Sequence, residues 1–86
     1  MKIEKALLAA IFIKNETLIL FLTAGLKPED FQNEKSQVIF RAMLILWATK
    51  NPIDLITLKE ELIRQDNYVP AMEEFIIKEF FYPLIA

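Results

Sequence analysis

The sequence contains no cysteine and no histidine, and its single glycine is Gly25. Without those two residue types there are no thiol nucleophiles, no disulfides, no imidazole bases and none of the commonest zinc ligands, so carboxylates, lysines and hydroxyls are left for any chemistry. No catalytic or metal-ligating set is assigned on this chain. One glycine cannot build a phosphate-cradling loop, which needs several backbone N–H groups presented on flexible turns, so no cofactor-binding residue is assigned either. Clustered positive charge is also lacking. Ten Lys and Arg are scattered among twelve Asp and Glu, for a net charge of -2, and nucleic-acid affinity comes largely from basic clusters. Direct nucleic-acid binding is therefore not expected. Apolar runs are short as well: "ALLAAIFI" and "TLILFLTAGL" are separated by Lys14, Asn15 and Glu16, and neither approaches the ~20 residues that span a bilayer. No cleavable signal peptide is recognisable. The expectation is a cytoplasmic protein with no membrane partner.

What is present is apolar surface. Hydrophobic residues make up 55% of the 86 positions, whereas a chain of this size buries only about 60% of the surface that its unfolded form exposes. One small domain, 1–86, is expected, with apolar surface left over for a partner.

The periodicity is helical throughout, with no strand-like alternation of useful length and no internal repeat. Residues 2–13 place Ile3, Leu7, Ala10 and Ile11 on one face. Asn15 is positioned to cap a second helix over 16–24, which Gly25 ends. In "KPEDF", Pro28 fixes φ, Asp30 can bond back to the backbone and Phe31 points inward. Asn33 can cap a long helix running to about Lys50, with Val38, Ile39, Ala42, Leu46 and Trp47 at its core spacing; Pro52 follows its end. Asp54 is placed as N-cap of a helix over 55–66, with Leu55, Leu58, Leu62 and Ile63 as inner stripe, and Thr57 to Glu60 offers a second capping box. Pro70 suits the first turn of a last helix, 70–82, closed by Pro83. The fold class is all-α: a compact bundle of about five short helices.

Several residues invite a chemical reading and have a plainer one. Glu60–Glu61 and Glu73–Glu74 are neighbours on a helix, do not face one another, and read as solvated charge. Trp47, Phe40 and Phe31 could stack on bases, but their helical spacing and the lack of flanking cations read as core packing. Ile19 and Leu20 belong to a helix that is apolar almost all round. Together with Phe80, Phe81 and Tyr82 they are the candidates for protein contact, with simple core packing as the alternative.

The segment "PEDFQNEKSQVIFRAMLILWATKNPIDLITLKEEL", residues 28–62, resembles the N-terminal domain of DnaB-type replicative DNA helicases. It has a Pro-Glu-Asp-Phe turn (Pro28, Asp30, Phe31), an Ile-Phe-x-Ala helix (Ile39, Phe40) and a Pro-Ile-Asp-x-x-Thr-Leu helix start (Pro52, Ile53, Asp54, Thr57, Leu58), in that order. "IEKALLAAIFI" is similar to that family's first helix. Ile19 and Leu20 depart from the family pattern, which carries acids on the outer face there; Ile45 and Ala48 stand at typically polar positions, and Lys50 stands where glycine is common.

The resemblance implies a non-catalytic domain that forms a collar on a hexameric ring, helps to assemble it, self-associates, and docks primase and the helicase loader. ATP and Mg would belong only to a separate motor domain. It also implies a long helical hairpin after the domain, and a chain stopping at "FFYPLIA" is expected to lack it. Two alternatives remain open: the helicase-binding C-terminal domain of a bacterial primase, and a small loader or inhibitor that mimics the collar.

Overall fold

The structure, a computed structural model, describes residues 2–66 and 70–78. Within them the fold is all-α: α1 (Lys2–Ile13), α2 (Thr17–Thr23), a 3-10 turn (Pro28–Asp30), α3 (Glu34–Ala48), α4 (Leu55–Arg64) and α5 (Pro70–Ile76). α3 is the centre. It packs against α4, against the 3-10 turn and against α1, while α2 packs on α1. The core is one cluster that includes Leu8, Ile11, Leu18, Phe31, Ile39, Phe40, Met43, Leu46, Ile53, Leu58, Leu62, Met72 and Ile76, all essentially removed from solvent.

Each end of α3 has a local cause. Asn33 sits in extended backbone and its side-chain oxygen accepts from the Lys35 N–H, satisfying one of the orphan donors of the first turn. At the other end the Lys50 N–H reaches the Trp47 carbonyl and the Asn51 N–H reaches the Leu46 carbonyl. That is the paired closure of a Schellman motif, and it holds Lys50 at φ 61°. α2 closes in the same way: Gly25, at φ 90°, bonds to the Leu22 carbonyl and Leu26 to that of Phe21.

The 3-10 turn behaves as its residues dictate. Asp30 Oδ2 accepts from the Lys27 N–H at 2.8 Å, and Phe31 is buried with its ring 5.1 Å from that of Phe40, tilted by 41°, within the range of favourable aromatic pairs. The Gln37 amide donates to the Phe31 carbonyl at 2.6 Å and ties this turn to α3.

Five readings are corrected. On α1 the inward residues are Leu8 and Ile11, while Leu7 and Ala10 are half-buried; the Ile3 side chain lies outside the described residues. α2 begins at Thr17 behind Glu16 with no side-chain cap, because the Asn15 side chain is engaged elsewhere. α3 ends at Ala48, since Lys50 has already turned left-handed. The capping box of α4 joins Asp54 to Thr57 rather than Thr57 to Glu60: Thr57 N–H donates to Asp54 Oδ1 at 2.9 Å and Asp54 N–H donates to Thr57 Oγ1 at 3.0 Å. Finally, α4 stops at Arg64, Ile63 points outward at 54% exposure, and Glu61, read as solvated, is buried. The last helix is assigned over Pro70–Ile76 and the described residues end at 78, so the stretch expected to reach Pro83 lies outside them.

Candidate protein-interaction surface

α2 is seven residues long and buries one of them, Leu18. Phe21 packs partly against the core, together with Leu26 just beyond the helix. The remaining large side chains are left exposed: Leu20 is 68% exposed, Ile19 45% and Leu22 39%. Glu16, Ile19, Leu20 and Thr23 follow the i, i+3, i+4, i+7 spacing, so they form one outward ridge. The Thr23 hydroxyl donates to the Ile19 carbonyl at 2.8 Å, which hides its polar group and leaves its methyl to extend the apolar strip. Of the residues singled out for protein contact, then, Ile19 and Leu20 lie together and outward, while Phe80, Phe81 and Tyr82 lie outside the described residues.

Beside the ridge is a feature that periodicity did not show. An open cleft of about 610 Å³ is lined by Asn15 and Glu16 from the α1–α2 corner and by Trp47, Ala48, Lys50, Asn51 and Pro52 from the end of α3 and the loop after it. A smaller hollow of about 340 Å³ continues along Lys14, Glu16, Thr17, Ile19 and Leu20. Glu16 is common to both, so ridge and cleft are one continuous surface. Among the described residues no ion pair engages Glu16 or Lys50 on its rim. The signal that could have revealed the cleft is Trp47, a large residue placed one step after the buried Leu46 and therefore at the shoulder of the inner stripe.

The motif residues around this surface are structural. Pro52 delivers Ile53 to the core, where it is 2% exposed. Ile53 lies outside any helix, so its backbone N–H and carbonyl would both be orphaned in the interior. Asn15 meets them both: its Oδ1 accepts from the Ile53 N–H at 2.9 Å, and its Nδ2 donates to the Ile53 carbonyl at 3.0 Å and to the Ile11 carbonyl at 2.8 Å. Asp54, Thr57 and Leu58 then start α4. The Thr57 hydroxyl donates to the Pro52 carbonyl at 2.7 Å, closing the turn on itself.

The buried carboxylate of Glu61 is equally local. Arg64 donates to both of its oxygens and the Gln65 amide adds a bond at 2.6 Å. The Arg64 bond lowers the Glu61 pKa below its ordinary value, burial pushes it up, and Gln65 lowers it again, with a lowered pKa as the net result. All three groups lie within five residues of one helix. The arrangement satisfies a buried charge and offers no free group for catalysis.

A family model described as the DnaB-like helicase N terminal domain matches residues 1–80. The chain belongs to this family. It is 40% identical over 63 residues to the replicative DNA helicase DnaC of Bacillus subtilis (strain 168), a match covering 73% of this chain and 14% of that protein. It is 33% identical over 78 residues to the replicative DNA helicase DnaB of Rhodothermus marinus, covering 91% of this chain and 8% of that protein. The chain thus spans a small fraction of the length of these relatives. No solved structure matches it. Among the described residues no helix is long and apolar enough to cross a membrane.

Proposed function

We propose that this chain is the non-catalytic N-terminal collar domain of a replicative DNA helicase, serving ring assembly and the docking of primase or a helicase loader. The observation that carries this reading is the outward ridge of α2. A monomeric domain gains nothing from holding Ile19 and Leu20 in water, and a contiguous apolar strip rimmed by charge is the usual mark of an interaction surface. Burying what remains exposed of those two side chains contributes about 2–3 kcal/mol before association costs are subtracted, which supports a modest contact only together with the neighbouring cleft. ATP and Mg would be handled by a separate motor domain, and the work of this chain would be contact between proteins in the cytoplasm. Matches to two helicases support this reading over a primase fragment or a collar mimic.

The test is sedimentation of the wild type beside an Ile19→Glu, Leu20→Lys variant, with each then mixed with the primase from the same source. The expected result is concentration-dependent self-association or primase binding in the wild type and its loss in the variant, with melting temperature little changed. A wild type that stays monomeric at high concentration and binds no primase, or a variant that unfolds, would make these residues part of the domain's own stability and the reading wrong.

A further inference from the structure

The Asn15 side chain is not used where its position suggests. A cap at this point would bind the first free N–H groups of α2, but the Thr17 N–H goes to the Lys14 carbonyl and the Leu18 N–H to the backbone carbonyl of Asn15 itself. The amide is left to face Ile53, 38 positions away, and donates to and accepts from that one residue in the manner of a strand neighbour. Its second N–H holds the Ile11 carbonyl near the end of α1. One side chain therefore joins the α1–α2 corner to the loop that precedes α4.

That junction has a geometric consequence. The cleft beside Trp47 has two walls, one from the corner (Asn15, Glu16) and one from the loop (Lys50, Asn51, Pro52). The pair formed by Asn15 and Ile53 fastens one wall to the other. α2 itself is far too short to be stable alone, and only Leu18 anchors it fully in the core.

We propose that Asn15 is a positioning residue for the docking surface: its three hydrogen bonds hold the ridge of Ile19 and Leu20 in a fixed place beside the Trp47 cleft, so that a second copy of this chain meets both as one face. The role rests on the docking reading above, and it explains why asparagine occupies the position. The site needs one acceptor and two donors on a short stem, which the Asn amide supplies. Aspartate accepts only, and would set a negative charge against the Ile11 and Ile53 carbonyls. Alanine would leave the buried Ile53 groups without their partner.

The experiment compares the wild-type chain with Asn15→Ala and Asn15→Asp by amide hydrogen exchange and by sedimentation. In both variants the amides of Leu20 to Thr23 are expected to exchange about tenfold faster, the ratio that about 1.4 kcal/mol corresponds to, while those of Ile39 to Leu46 stay within about twofold. Self-association is expected to weaken by a similar factor although Ile19 and Leu20 are intact. Equal acceleration in α2 and α3 would mean that Asn15 serves global stability alone and would overturn the inference. So would a loosened α2 that associates as tightly as before. A wild type with no self-association removes the second copy as occupant and overturns the inference; the docking reading falls with it only if the wild type also binds no primase, so the two failures are told apart before any variant is compared.

Discussion

Lys50 has a left-handed backbone, φ 61°, and follows the C-cap Thr49 at the end of α3. Three of the helices end on such a residue, with Gly25, Lys50 and Asp66 at φ 90°, 61° and 59°. Glycine adopts this region freely and aspartate tolerates it, but a lysine pays a steric cost there of roughly 1–2 kcal/mol. Lys50→Gly is accordingly expected to stabilise the domain. Part of the relief is offset by the greater freedom of glycine in the unfolded chain, leaving a gain of about 0.5–1 kcal/mol and a melting temperature higher by ~2–8 °C for a domain of this size. Thermal unfolding followed by circular dichroism checks it. A lower melting temperature would mean that the exposed Lys50 side chain makes a contribution larger than its backbone strain.

At the scale of the element, α4 shows what periodicity could and could not reveal. Its start was legible because capping chemistry is local and Asp54 marks the N-cap, although the box it closes with Thr57 was missed because the familiar Ser/Thr-x-x-Glu spacing pointed to Thr57 and Glu60. Its faces were misjudged because polarity outweighed angle. At 100° per residue, Glu61 stands about 60° from Leu58 and Ile63 about 140°, so the carboxylate lies nearer the buried stripe than the isoleucine does. The helix accepts a charge there because Arg64 and Gln65 reach back over it, a detail of side-chain geometry that spacing does not encode. The same carboxylate gives a pH signature. Its pKa is lowered in the folded state, chiefly by Arg64, so it contributes stability that is present above its ordinary value of 4.5 and is lost as pH falls through the folded value. Glu61→Gln should lower the melting temperature at pH 7. The gap from wild type should shrink steadily below about pH 4.5, as seen in parallel melts over pH 3 to 7. A gap independent of pH would show that the ion pair is not what holds Glu61 in place.

For the molecule as a whole, the element order, the caps of α3 and α4 and the inward Phe31 and Phe40 could be read from local pattern. The cleft and the bonds of Asn15 could not, since each joins segments far apart in the chain. The apolar ridge lay between. Ile19 and Leu20 were visible as an excess of hydrophobic residues on a short helix, and only the packing of Leu18 decided which side of α2 faces out. The composition also carries a prediction about chemistry: with a single glycine and no basic cluster, the purified chain is expected to show neither ATP turnover nor submicromolar binding to single-stranded DNA at physiological salt. A nucleotide hydrolysis assay and a fluorescence anisotropy titration test the two halves, and a positive result in either would require a site on this chain.

The bond between Asn15 and Ile53 also bears on the order in which the chain assembles. The contacts of α3 with the 3-10 turn before it and with α4 after it close short loops, whereas the Asn15 amide must find a partner 38 residues away. Loop closure over such a span gains nothing until the intervening helix has shortened the distance. Residues 28–62 are therefore expected to form the early nucleus of the folding reaction, with the α1–α2 corner docking onto it afterwards. By the same reasoning, Asn15→Ala is expected to leave the rate of folding almost unchanged and to speed unfolding, as stopped-flow refolding and unfolding rates would show.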